Sequence, residues 1–335
     1  MKINEINSYK FARFADFVFS EVLTKEQFSI LKPVEIEIIY KNNSHISYQK
    51  NNIRLSNGSS IFCVNSSINI LFHYIKETNL TNLTLITNQT DDNISMREFN
   101  KLPPQFTDWY SINVDFNNEK LHPIPLGISN GYEKNLSLKD QFQLDESRYS
   151  VRKKNLLYLS FADNTNIRVR SGLKTHFSKY SWTKIINGNN DLPSYKQDLK
   201  SSNFILCPEG NGIDTHRIWE ALYFECIPII QKQTGLNKFI KLPVLYVDNF
   251  YEITRELLEE FLENLVIDDL KQIDFTYWEE KIGKNQSFEN KVDIKVQKNI
   301  YSYFRIIERI NKKLSKIING YFRLIYKIKK RSSFY

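Results

Sequence analysis

The chain has 335 residues, 41% hydrophobic and 14% aromatic, enough to fill two ordinary domains of about 150 residues each. It contains no apolar run of about 20 residues and opens on MKINEINSYKFARF, so neither a membrane-spanning helix nor a secretory signal is expected. The net charge of +8 sits in one place: between Arg305 and Arg331 ten Lys/Arg face one acid, Glu308, which leaves 36 basic against 37 acidic residues elsewhere and argues against a nucleic-acid-binding body.

Near the N-terminus, Phe11, Phe14 and Val18 are spaced i, i+3, i+7 and predict a helical face, with Phe17 beside them. Val34 to Tyr40 alternates like a strand; the rest of the first sixty residues is irregular to read. Residues 61–64 and 83–87 have the composition of buried strands, and between them Ser67 to Asn79 places Ile68, Ile70, Leu71, Tyr74 and Ile75 on a helical period. Strand, helix, strand predicts a parallel sheet. Its second strand ends in a polar run, Thr87 to Asp92, which is either a functional loop or a cap and turn for the next segment. Residues 131–153 are polar and charged and read as a connector, placing a boundary near 148 between domains at 1–148 and 149–285. A new buried strand follows at 155–161. Arg168 and Arg170 come next, leading a helical segment to Lys179. A short helix is expected over Tyr195 to Ser202, a strand over 243–247 and an acidic helix over 250–271. The last segment, 286–335, is expected to be a helical, basic tail. Its apolar residues at 306, 310, 314, 317, 321, 325 and 328 make it either an interfacial helix for an anionic membrane or a packed terminal helix with a solvated face. Cys63, Cys207 and Cys226 lie in apolar surroundings without C-x-x-C spacing, which suits buried free thiols in a reducing compartment.

The most informative stretch is FILCPEGNGIDTHRIWEALYFECIPII, residues 204–230. It reads as strand, glycine-containing loop, amphipathic helix and second strand, the unit of a parallel sheet. Loops at the carboxyl ends of such strands bind ligands, and free N–H groups at the next helix N-terminus suit a phosphate. Asp214 or Thr215 can cap that helix, and Arg217 and Glu220 share a face at i, i+3. By spacing alone, the same pattern fits an ordinary surface ion pair.

The wording of the stretch resembles the carboxyl-terminal half of exostosin-type glycosyltransferases, with Glu209 where the family usually has a basic residue and Glu225 where it usually has glycine. Looser similarities lie at Thr87 to Asp91, Asp108 to Asn113 and His122 to Asn130, with Asn88 in place of a usual histidine. Phe275 to Trp278 is similar to a family segment that packs a late helix back across the domains. The resemblance implies an α/β fold of two Rossmann-like domains facing across a cleft, the GT-B arrangement, here followed by the basic amphipathic helix. It implies a nucleotide-sugar donor, expected to be a UDP-sugar, held by Gly210, Asn211, Gly212, Asp214, Thr215, His216, Arg217, Glu220, Arg168 and Arg170, with Glu220 on the ribose. The acceptor hydroxyl then needs a base from the facing domain; Asp91 is the first candidate and Asp92 the second. Asp91-Asp92 is not a spaced Asp-x-Asp and the five histidines are scattered in sequence, so no metal and no cofactor are expected. The expected reaction is inverting transfer to a glycan or lipid-linked acceptor in bacterial surface polysaccharide synthesis, such as capsule or O-antigen. The expected location is cytoplasmic, with residues 305–331 on the inner face of the membrane. A GDP-sugar enzyme of the fucosyltransferase kind and an inactive glycan-binding homologue are the alternatives.

Overall fold

The computed structural model describes residues 3–129, 149, 152–188, 190–232, 235–239, 241–267, 269–283 and 289–307, with scattered positions up to 320. In the first half the strands are β1 (Phe17–Val18), β2 (Ser20–Thr24), β3 (Ile36–Lys41), β4 (His45–Lys50), β5 (Asn52–Leu55), β6 (Ser60–Val64), β7 (Leu83–Asn88), β8 (Phe106–Ser111) and β9 (Leu121–Pro123). The second half contributes β10 (Asn155–Leu159), β11 (Thr183–Ile185), β12 (Ser202–Leu206), β13 (Ile227–Gln231) and β14 (Leu245–Val247), and β15 (Val292–Lys295) follows.

Two five-stranded sheets result, ordered β1-β6-β7-β8-β9 and β11-β10-β12-β13-β14, and every pairing within them is parallel. Their central strands β6, β7 and β12 are buried at every position. That is why they read as continuous apolar runs, since helices or loops cover both faces of a parallel sheet. The expected pair of Rossmann-like units is therefore present.

Three expectations change. Helix α1 covers Ser8–Phe14, shorter than the predicted 11–18: the Asn7 side chain caps it at Lys10 N–H, and Phe17 and Val18 leave it to pair with Ile61 and Phe62. The irregular first sixty residues hold a three-stranded antiparallel sheet, β2-β4-β3. Its alternation is weak in sequence because β3 is largely exposed on both faces. Residues after 286 do not begin as a separate tail. Strand β15 pairs antiparallel with β5, and a helix over 298–307 follows it onto the first half. There Arg305, 7% exposed, donates to the Ser66 carbonyl (2.8 Å), Gln49 Oε1 (3.0 Å) and Ser67 Oγ (2.8 Å). The connector over 131–148 and the apolar positions 321, 325 and 328 lie outside the described residues.

The halves share one apolar core, which runs from Phe62, Ile86 and Tyr110 in the first sheet to Leu157, Phe204 and Ile227 in the second. Helix α2 (Phe275–Ile282) closes it from the far side. Phe275 packs edge-on against Phe11, ring centroids 5.1 Å apart, and donates its N–H to the Asn4 carbonyl (2.7 Å). Tyr223, fully enclosed, receives the Ile6 N–H (2.8 Å) and donates to the Ile273 carbonyl (2.7 Å). A seam of buried hydrogen bonds, each worth about 1 kcal/mol net, thus fixes one half against the other and with it the cleft between them.

Candidate active site

A cavity of about 550 Å³ opens between the carboxyl ends of the two sheets, the position where parallel α/β sheets take ligands. Its second-half wall is the loop after β12 and the helix over His216–Tyr223. That helix is sharply two-faced: Ile218, Trp219, Ala221 and Leu222 are buried in the core, while His216, Arg217 and Glu220 line the cavity.

Gly212 is small because of its neighbour. A Cβ there would sit 2.8 Å from Asn113 Nδ2 of the facing half. Asn113 uses that approach to join the walls, receiving the Asp214 N–H (2.9 Å) and donating to the Thr90 carbonyl (3.1 Å). Asp214 completes the joint. Its carboxylate receives the Leu126 N–H (2.8 Å) and the Trp219 indole N–H (2.9 Å), and burial pushes its pKa up to about 7. Thr215 is the N-cap residue but makes no side-chain cap bond. Asp214 therefore serves as an inter-half clamp at the cavity edge, where a simple helix cap was expected.

Glu220 is buried and lines the cavity, with Oε2 receiving the Tyr195 hydroxyl (2.8 Å). Burial and the adjacent Glu220 carboxylate push the Tyr195 hydroxyl pKa well up, so it stays a donor and fixes the glutamate rotamer. Arg217 reaches the cavity from the same helix face. The two predicted arginines separate. Arg170 is 5% exposed and lines the cavity, but three of its N–H groups hold the carbonyls of Glu209 (2.9 Å), Ala162 (3.0 Å) and Pro208 (3.1 Å). Burial, then the nearby Arg217 charge, lowers its pKa to about 10. Arg170 is thus a brace for the loop that also brings positive charge to it, whereas Arg168 is exposed and does not line the cavity. Glu209, which stands where the family usually has a basic residue, does not line the cavity; its Oε1 receives the Asn166 amide (3.2 Å).

The first-half wall comes from Ser8, Val22, Tyr40, His45, the run Asn88 to Asp91, Leu126 and Ser129. Gln89, in a left-handed conformation (φ 62°), receives the Val22 N–H (2.6 Å) and donates to Ser8 Oγ (3.3 Å), tying α1 and β2 to the end of β7. Asp91 faces the cavity and receives the Asn211 amide across it (3.3 Å). Asp92 does not: it turns to its own Thr90 hydroxyl (3.1 Å) and lines a separate groove beside Trp109. Tyr40, His45, Ser8 and Ser129 were not singled out from the sequence, because no local pattern links the hairpin at 41–45 to a loop 170 residues away.

Three buried polar atoms of cavity-lining residues, Asn88 Nδ2, Thr215 Oγ1 and Arg217 Nε, have no hydrogen-bond partner within the described protein. Buried polar groups are normally paired, at a cost of about 1–3 kcal/mol when they are not. Two of the three are obligate donors, and together with both guanidiniums they suit a ligand rich in anionic oxygen. Among the described residues no three His, Cys, Asp or Glu side chains gather as a metal site would need.

Two facing Rossmann-like units with a cleft between them form a GT-B arrangement. Residues 43–247, more than half of the chain, match the family model described as the Exostosin GT47 domain, and the chain belongs to that family. It is a glycosyltransferase, and membership of the family implies a nucleotide-sugar donor and a glycan acceptor. No curated protein matches the chain.

Proposed function

We propose that the chain is an inverting, metal-independent transferase that moves a sugar from a UDP-sugar to a lipid-linked glycan during synthesis of a bacterial surface polysaccharide. The observation that carries the donor assignment is the unpaired Arg217 Nε and Asn88 Nδ2, set in a cavity with Arg170 and the G-N-G loop. As the sugar–phosphate bond breaks, charge builds on the diphosphate, and positioned donors hold it most strongly at that point. The braced Arg170 guanidinium, that of Arg217 and the helix N-terminus supply that stabilisation, and Glu220, held by Tyr195, offers an acceptor for ribose hydroxyls. Val22, Tyr40 and His45 form the acceptor side, where the Tyr40 ring, 45% exposed, offers a face for a sugar ring.

A screen of UDP-, GDP- and CMP-sugars, with and without EDTA, tests this reading. UDP-sugar turnover that survives EDTA, giving product of inverted anomeric configuration by NMR, is the expected result. Exclusive turnover of GDP-sugars would replace it with the fucosyltransferase-like alternative, and failure of every nucleotide to bind would favour an inactive glycan binder.

The lipid-linked acceptor and the inner-membrane location rest on the last helix. Ile306, Ile310, Leu314 and Ile317 are all exposed, at successive helical spacing, in a segment rich in Lys and Arg. No helix among the described residues is long and apolar enough to cross a membrane. Removing residues 308–335, which spares the buried Arg305, should release the protein from phosphatidylglycerol vesicles; undiminished flotation with them would overturn the membrane role.

A further inference from the structure

An acceptor hydroxyl attacking a sugar carbon must lose its proton, and five cavity-lining side chains could take it: Asp91, Asp214, Glu220, His45 and His216. Asp214 is enclosed and engaged with Leu126 and Trp219. Glu220 is tied to Tyr195. Asp91 is solvent-exposed at the rim and already receives the Asn211 amide. His45 sits beside a hairpin turn, its Nδ1 against the Ser44 hydroxyl (2.8 Å). His216 is different: its Nδ1 lies 2.7 Å from the carbonyl oxygen of Gly127. A carbonyl can only accept, so Nδ1 carries the hydrogen, and in the neutral ring Nε2 holds the lone pair. Nε2 makes no hydrogen bond among the described residues.

The orienting carbonyl is itself immobilised. Gly127 has φ 68°, and a Cβ there would lie 2.2 Å from the Ile6 carbonyl oxygen, so only glycine fits. On either side Leu126 N–H goes to Asp214 and Ile128 N–H to the Ile6 carbonyl (2.9 Å). His216 thus bonds across the seam from the cavity end of the second-half helix, one turn before Glu220, while Tyr223 does so from the other end. A base held in one tautomer by a fixed third group is the arrangement that activates a hydroxyl nucleophile.

Resting on the donor reading above, we propose that His216 Nε2 is the proton acceptor for the attacking hydroxyl. The hydroxyl proton passes to Nε2 as the oxygen forms its bond to the anomeric carbon; the bond from that carbon to the phosphate oxygen breaks and its electron pair leaves with the diphosphate. The imidazolium then returns its proton to solvent. The charged and titratable groups around it are Arg217 and Glu220 on its helix, Asp214 before it, Arg170 from the short helix Ile167–Arg170 after β10, and Asp91 and His45 from the facing half.

The test uses the full-length protein, UDP for binding, and whichever UDP-sugar the donor screen finds to turn over. His216→Gln should bind UDP within about twofold of wild type and lose transfer by about 10²-fold or more, the size of general-base effects. The acidic limb of the wild-type pH–rate profile should vanish with it, while Asp91→Asn retains that limb. His216→Ala should regain transfer with added imidazole, a response that a purely structural role would not give. Loss of the acidic limb in Asp91→Asn instead, loss of UDP binding in His216→Gln, or a His216→Ala variant deaf to imidazole would each overturn the assignment alone. Wild-type protein that binds no UDP would overturn the donor reading beneath it, and the assignment with it.

Discussion

The second-half wall of the cleft comes mostly from one stretch, residues 210–220, with Thr165 and Arg170 beside it, while the first-half wall is gathered from α1, β2, the hairpin between β3 and β4, the end of β7 and the segment around Leu126 to Ser129. The difference follows from what each wall has to recognise. A diphosphate and a ribose are served by a loop, a helix N-terminus and two side chains at i, i+3, all of which a single strand–loop–helix unit supplies. A glycan acceptor presents hydroxyls over a broad surface, and several loops on a rigid sheet can be shaped to it without disturbing the strands beneath.

The largest expected effect strikes the contiguous wall. Glu220→Ala and Arg217→Ala should each weaken UDP binding by about 100-fold or more, as expected for losing charge-assisted hydrogen bonds in a buried site. Titration calorimetry on variants with unchanged circular dichroism measures it, and full affinity in both would end the idea that this wall holds the donor. Next in size, Arg170→Met strips the donors from three carbonyls and should cost about 2 kcal/mol in urea unfolding, whereas exposed Arg168→Ala should stay within about 0.5 kcal/mol. Equal effects would show that the loop is not braced as described.

Each half also carries one buried carboxylate that resists ionisation: Asp214 at the seam, and Glu21 in β2, both raised to about 7 by burial. Since both bind protons more tightly folded than unfolded, stability is greatest below about pH 4 for these groups and falls as pH rises through 7. Thermal melts between pH 4 and 7 should show this decline, and Asp214→Asn and Glu21→Gln should each remove part of the slope. A slope unchanged in one variant would mean that half does not contribute. The smallest effect is expected on the dispersed wall, where Tyr40→Ala should raise the acceptor KM several-fold and leave UDP affinity unchanged, a loss of about 1 kcal/mol of ring contact. A change in UDP affinity instead would put Tyr40 on the donor.

Much of the contiguous wall was legible because its residues are neighbours in sequence. One departure from the family wording now has a physical account. Glu225 stands in the turn between the His216 helix and β13 at φ 54°, a left-handed conformation that glycine adopts without strain. Glu209, the other departure, is accounted for by Asn166, a contact no spacing rule anticipates. The two arginines could not be told apart in sequence either. Residues two apart on a helix point different ways, and only packing against Pro208 and Glu209 decides that Arg170 turns inward. The basic tail was read from its charge and apolar period, neither of which shows that Arg305, at the start of the basic run, is buried in the first half.

By itself, then, the sequence determined the two parallel sheets, since strands covered on both faces must be continuously apolar, and it determined the loop and helix that line the second half of the cleft. Tertiary structure alone decided which polar residues meet across that cleft: His216 with Gly127, Asn211 with Asp91, Asp214 with Leu126. These pairs are separated by 88 to 120 residues. Their geometry is set by the docking of two sheets through a shared apolar core, and no local period in the chain records how that docking falls.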